Sequence, residues 1–256
     1  MFPIGICTDF DHLLDVVELG YDFIELPLRA LAALPESDFQ EFVDYAESTG
    51  LKIAAVNALL PENLPITGDR VQAHDLHEYL SLAFGRARRL GVRTAVLDSE
   101  KSRSVPLGVD FPFAWRQLGN FLRLAQGHAK ESGLTLAIEP LRAGDCNLLN
   151  LVSEATLIAG LLQLGNVAVA ANSASMAMAA EPLSALRRAA PLLKHVHVEH
   201  PLSRRLPKSG DGEDYGRLLH TLAEIGYEGG VSVCAKNYGD YKADAEAALA
   251  CMKMNY

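Results

Sequence analysis

One phrase recurs along this chain: an amphipathic helical stretch ends at a glycine, and a short β-rich run begins within a few residues. It occurs at Leu19-Gly20-Tyr21, Thr49-Gly50-Leu51, Leu90-Gly91-Val92, Ser132-Gly133-Leu134, Leu164-Gly165-Asn166 and Ile225-Gly226-Tyr227. Glycine at that place supplies the left-handed backbone that ends a helix, so each instance reads as a helix-to-strand loop. The runs that follow predict strands over 23–26, 52–57, 94–97, 135–139, 167–172 and 230–234, and runs at 4–7 and 195–198 complete a set of eight. Helical patterns fall between them at about 11–19, 38–48, 74–90, 112–132, 153–163, 182–190, 215–225 and 241–253. Strict alternation implies parallel strands with right-handed crossovers, and eight such units in 256 residues is the arithmetic of one closed (β/α)8 barrel, an α/β TIM barrel domain spanning 1–256. The competing architecture, a doubly wound open sheet, lacks support because the first strand-to-helix turn has no G-x-G-x-x-G fingerprint.

Composition narrows the function. With 49% hydrophobic and 21% charged residues the chain sits near the globular average, which excludes disordered, collagen-like and coiled-coil classes. Its 23 basic and 32 acidic residues give a net charge of −9 with no basic block, so no nucleic-acid partner is expected. Cys7, Cys146, Cys234 and Cys251 show no close CxxC pairing, so neither a disulfide scaffold nor a zinc ribbon is indicated and a reducing cytoplasm is the expected location. The first residues lack a basic, apolar leader pattern, and no segment approaches the roughly 18 apolar residues of a membrane span, so no membrane partner is expected. P-loop, G-x-S-x-G and H-E-x-x-H patterns are absent, which removes support for nucleotide hydrolysis, serine esterase and zincin chemistry.

Alternation along each predicted strand sorts side chains to the barrel axis or to the helices. In 135–139, Leu136 and Ile138 face the helices while Thr135, Ala137 and Glu139 face inward. The same parity turns His195 and His197 inward, then Ser232 and Cys234, and groups Ala168, Ala170 and Asn172. Glu139, Asn172, His197 and Cys234 thus end four neighbouring strands, with Glu25 and Asn57 at equivalent ends earlier in the chain. Active sites of this architecture form where inward side chains converge at the carboxyl ends of the strands. His195, one pleat deeper, is assigned to packing inside the barrel.

Taken in order, Leu19-Gly-Tyr-Asp-Phe-Ile-Glu-Leu26, the 57–61 segment, Ile138-Glu-Pro-Leu141 with Cys146-Asn147 and Asn150, His195-Val-His-Val198, the 207–212 segment and Ile225-Gly-Tyr-Glu-Gly229 resemble the xylose isomerase-like TIM barrel superfamily of sugar phosphate isomerases and epimerases. In metal-dependent members of that family, a divalent ion is held by Glu, Asp, His and Glu from strands five to eight. The resemblance places the first Glu at Glu139 and the His at His197. It places the Asp at Asn172, with Ser175 where a D-x-x-H pattern has its histidine, and the last Glu at Cys234. The family's arginine near the substrate corresponds to Arg204 or Arg205, with Arg103 and Lys236 as further contacts to hydroxyls or a phosphate.

The resemblance implies proton transfer next to the carbonyl of a sugar or sugar phosphate through an enediolate, with Glu139 as base. A divalent ion stabilises such an enediolate as a Lewis acid. Replacement of two ligands leaves three readings. A metal persists on Glu139, Asn172, His197 and Cys234, a set that suits zinc better than manganese or magnesium because a thiolate is soft. Alternatively no metal binds, Glu139 acts as a single base, and Cys234 serves as an acid. In the third, the barrel is a catalytically degenerate carbohydrate-binding protein or subunit. Any of the three allows a homo-oligomer.

Overall fold

The computed structural model describes residues 2–50 and 52–255. Met1, Leu51 and Tyr256, which fall at the ends of the predicted domain and in its second helix-to-strand loop, lie outside that range. Eight strands pair in chain order: β1 Ile4–Cys7, β2 Phe23–Pro27, β3 Ile53–Asn57, β4 Thr94–Leu97, β5 Thr135–Ile138, β6 Val167–Asn172, β7 Leu193–Val198 and β8 Gly230–Val233. All pairings are parallel, and β1 closes against β8 through Ile4 beside Val231 and Ile6 beside Val233. The fold is the (β/α)8 barrel that the alternation predicts. Among the described residues, no helix is long and apolar enough to cross a membrane.

Five of the six helix-ending glycines take the left-handed conformation, with φ between 65° and 76°. The sixth loop differs: helix Val152–Leu162 ends at Gln163, which adopts φ 48° itself, and Gly165 has no such role. β7 starts at Leu193, two residues before the predicted 195, because Leu193 pairs with Val169 across a register shift in β6. The predicted helix over 182–190 shortens to Ser184–Ala189, and a separate short helix, Ser173–Met178, opens directly from β6 with Asn172 as its cap.

Two apolar regions follow from strand parity. The outward residues of the strands, such as Leu136, Ile138, Val196 and Val231, join the helices in one continuous core. Inside the barrel, Val96, Ala137 and Ala170 form a separate small cluster on the β4–β6 side. At the amino end the interior is plugged by Phe23, and here two glycines are required. A Cβ on Gly5 of β1 would sit 2.3 Å from the Phe23 ring, and one on Gly230 of β8 would sit 2.8 Å from it. The narrow, filled interior forces any ligand to the carboxyl end of the strands.

Candidate functional site

A cavity of about 630 Å³ opens at that end. Its wall brings together Asn57, Glu139, Asn172, His197, Arg204, Cys234 and Lys236 of the sequence candidates, together with Cys7, Asp98, Glu199, Tyr238 and Tyr241. Parity accounts for the convergence, since Val96 and Ala137 point to the axis and the next inward residues are Asp98 and Glu139.

His197 lies at the base, 3% exposed, between two carboxylates. Its Nε2 is 2.9 Å from Glu25 Oε1, and its Nδ1 is 2.8 Å from Glu139 Oε2. Burial disfavours charge on the ring, but the Glu139 and Glu25 carboxylates outweigh it and hold the imidazole protonated well above the ordinary histidine value. Below it, Glu25 accepts from His195 Nε2 at 2.7 Å and from Ser232 Oγ at 2.6 Å. Complete burial works against its charge, yet His197 and His195 hold Glu25 well below the usual carboxylate range. The lower site is a closed network of one carboxylate and three donors.

The upper site is incomplete. Asn172 Nδ2 donates to Glu139 Oε1 at 2.8 Å, while Glu139 Oε2 is enclosed with no aligned hydrogen bond, the His197 contact being one of charge alone. Burial raises the Glu139 pKa, but the His197 charge prevails and lowers it. On the neighbouring strand end, Asp98 is half-buried and its Oδ1 is enclosed without a partner. Desolvation, and then the Glu139 charge, push Asp98 up to about 7. Two carboxyls share one space and divide their ionisation.

Several expected contacts lie elsewhere. Glu25 is fully buried beneath His197 and does not line the cavity, because its oxygens are consumed by His195, His197 and Ser232. Arg103 is also fully buried: its Nη1 donates to the carbonyls of Leu97 at 2.9 Å and Glu139 at 2.8 Å, tying the ends of β4 and β5 together instead of facing the opening. Ser175 is buried in helix Ser173–Met178, its N–H given to Asn172 Oδ1 at 3.0 Å. Arg205 is exposed outside the wall.

Arg204 does face the cavity, but its guanidinium meets Asp145 at 2.9 Å and Glu199 at 3.2 Å. Lys236 pairs with Glu100, and Arg142 with Glu199 at 2.7 Å. Among cavity-lining cations of the described residues, only the exposed Arg29 has no ion pair. Cys234 is joined to Cys7 as a disulfide and so offers neither the thiolate ligand nor the acid expected of it, while Cys146 and Cys251 are free. Closure of the barrel explains the pairing: Ile6 lies beside Val233, and the next residues along the two strands are Cys7 and Cys234.

A model of the xylose isomerase-like TIM barrel matches residues 13–254. The chain belongs to that family. Among solved structures, D-allulose 3-epimerase from Methylomonas sp., in complex with D-allulose, superposes with a TM-score of 0.87 at 16% identity, over 100% of this chain and 97% of that one. The 3-keto-D-glucoside 4-epimerase YcjR from E. coli gives 0.85 at 17%, over 99% and 100%. D-psicose 3-epimerase from Clostridium cellulolyticum H10, with D-tagatose, gives 0.85 at 18%, over 99% and 98%. At these identities the likeness is one of fold. No curated protein sequence matches the chain.

The four positions that the family resemblance assigns to a divalent ion do not fit one here. The Asn172 oxygen caps helix Ser173–Met178, so an NH2 group, which cannot ligate, faces Glu139. Cys234 is bonded to Cys7, and both nitrogens of His197 face carboxylates. A protonated imidazole stands where a hard cation would neutralise Glu139.

Asp98, Glu199, Cys7, Tyr238 and Tyr241 are among the wall residues that the strand reading passed over. For Asp98 and Glu199 a signal existed, because each lies two residues beyond an inward side chain, Val96 and His197. Tyr238, in the loop after β8, and Tyr241, which opens helix Tyr241–Met254, lie beyond the strand and carry none of its alternation.

Proposed function

We propose that this protein moves a proton at the carbon beside the carbonyl of an uncharged sugar, as an isomerase or epimerase, with Glu139 and Asp98 as the proton-handling pair. The observation that carries this reading is the pair of enclosed carboxyl oxygens on adjacent strand ends of one cavity: Glu139 Oε2, whose one contact is the charged His197 ring, and Asp98 Oδ1, which has no hydrogen-bond partner. Such a carbon acid is weak until its enediolate oxygen is stabilised. Glu139, kept ionised by His197, accepts the proton at Oε2 while Asn172 fixes the carboxylate through Oε1. Asp98 keeps its own proton up to about pH 7 and donates it toward the carbonyl oxygen as charge develops there. The internal pairing of Arg204 and Lys236 supports a neutral sugar over a sugar phosphate.

The test is solvent exchange. Neutral ketoses and aldoses are incubated with the protein in deuterium oxide, and deuterium entering beside the carbonyl is followed by NMR. The expected result is exchange that falls about 10²- to 10⁴-fold in Glu139→Gln. Saturable sugar binding with no exchange would favour the non-catalytic binding barrel instead.

A further inference from the structure

We infer that the cavity holds two sugar units, and that the substrate is a glycoside or disaccharide whose second, uncharged ring lies on the β1 and β8 side, against Tyr238, Tyr241, Thr8 and Asp9. The inference rests on the proton-transfer reading for its first unit, the one that reacts beside Glu139 and Asp98. Space is the first argument. A hexose at the density of an organic solid fills roughly 200 Å³, about a third of a cavity of about 630 Å³. Chain order places the remainder. Asp98 and Glu139 follow β4 and β5, whereas Thr8 and Asp9 follow β1 and the two tyrosines follow β8. In a barrel closed in chain order, these two pairs of strands face each other across the mouth. Eight tilted strands about 4.8 Å apart close a ring roughly 15 Å across, which gives a second unit a wall of its own.

That wall suits a ring that carries hydroxyls. His12 stacks on Tyr241 with ring centroids 3.8 Å apart and planes 9° from parallel, and its Nε2 meets the Tyr238 hydroxyl at 3.3 Å. Tyr238, edge-on to Tyr241 at 5.2 Å, is thus held in place although it is 44% exposed. An aromatic ring fixed before binding offers its apolar face to the C–H face of a sugar at little entropic cost. Tyr241 supplies polarity. The residue is only 8% exposed, and its hydroxyl is enclosed with no aligned hydrogen bond, the Thr8 side chain being its neighbour. Such a hydroxyl, both donor and acceptor, gains a partner when a ligand hydroxyl arrives.

Charge on this side argues against an anion. Asp9 is acidic, and the wall lysines Lys236 and Lys101 are already paired with Glu100 and Glu62. An uncharged second ring meets no opposing field.

The test measures binding by calorimetry in deuterium oxide and follows deuterium exchange in the same samples. The probes are glucose, fructose and the glucosyl-fructoses turanose, maltulose and isomaltulose, which join the second ring through three different oxygens of fructose. The expected result is at least one disaccharide bound about tenfold or more tighter than either hexose. Tyr238→Ala should bring that ratio near one, and Tyr241→Phe should lower it about two- to tenfold. Arg205→Ala, outside the wall, should keep it. Hexoses bound as tightly as every disaccharide would overturn the inference, and so would a preference that either tyrosine variant leaves unchanged. The two readings separate in one data set. Hexose exchange without a disaccharide preference sinks the second subsite and spares the proton transfer, whereas a tyrosine-dependent preference without exchange does the reverse. Sugars that do not bind at all sink both.

Discussion

Glu25 and Glu139 hold the same imidazole from its two sides, at 2.9 Å from Nε2 and 2.8 Å from Nδ1. Below the ring, Glu25 has a donor for every need: His195, His197 and Ser232 share its two oxygens, and none of it reaches the cavity. Above the ring, Glu139 has one aligned donor, Asn172, and shares its space with a second carboxyl, Asp98. A buried charge with complete hydrogen bonding is a permanent structural element, whereas one with an oxygen that no aligned hydrogen bond satisfies keeps capacity that a ligand or proton can use. The difference separates the part of the barrel that holds the site from the part that would act.

The largest test of that division removes the lower carboxylate. Glu25→Ala leaves one face of the His197 cation without a partner in a fully buried place and takes from His195 and Ser232 the acceptor they share, and loss of one member of such a buried pair costs about 3–5 kcal/mol. Denaturant unfolding should show that loss, and a variant of unchanged stability would mean that the lower network is not holding the barrel. Removal of the upper charge should do the reverse. Asp98→Asn takes away a carboxyl that repels Glu139, so stability is kept or gained, while deuterium exchange into sugar falls about 10²-fold or more.

Much of this arrangement was legible from alternation alone. The sixfold helix-glycine-strand phrase and the eightfold alternation built on it define the barrel, and a period of two along β5, β6, β7 and β8 turns Glu139, Asn172, His197 and Cys234 to one cavity. Parity does not say how deep an inward residue sits. Glu25 shares the parity of the wall residues but lies a layer below Asn57, which pairs with Pro27, two residues further along β2. The connections after the strands carry no strand parity, so Arg103 and Arg205 could not be told from Arg204, and only the fold sets one beneath two carbonyls, one at the surface and one facing inward. The Cys7–Cys234 bond joins the first strand to the last, and its 227-residue separation becomes a contact only when the barrel closes. Asp98 was within reach of the same reasoning, but the predicted fourth strand stops at Leu97, one residue short of it.

Acid and base act on the two layers with opposite sign. Glu25 is more acidic folded than unfolded, so its contribution is present above the ordinary carboxylate value of 4.5 and is lost as pH falls through its lowered value. Asp98 is less acidic folded, rising from 3.8 to about 7, so the folded state binds the extra proton and stability declines as pH climbs between those values. The stability gap between Asp98→Asn and the parent protein should therefore open from near zero below about pH 4 and level off above about pH 7. A gap that stays flat across that window would show that the upper carboxyl is an ordinary solvated one. Exchange by the parent protein should decline as pH rises through about 7, where Asp98 loses the proton it donates.

The smallest expected effect concerns charge on the ligand. Arg204 and Lys236 are already matched by Asp145, Glu199 and Glu100, which leaves the exposed Arg29 as the cavity-lining cation free to meet a phosphate, among the described residues. A single exposed ion pair is worth about 0–1 kcal/mol, so adding a phosphate to a sugar should change its affinity by less than about tenfold, and Arg29→Ala should abolish what gain there is. Arg205→Ala, outside the wall, should alter neither affinity. A phosphorylated sugar bound more than 100-fold tighter than its neutral parent, with the preference lost in Arg204→Ala, would mean that the carboxylates around Arg204 yield to ligand. The charge-matched wall would then be a resting arrangement, and the choice of a neutral substrate would have to be reversed.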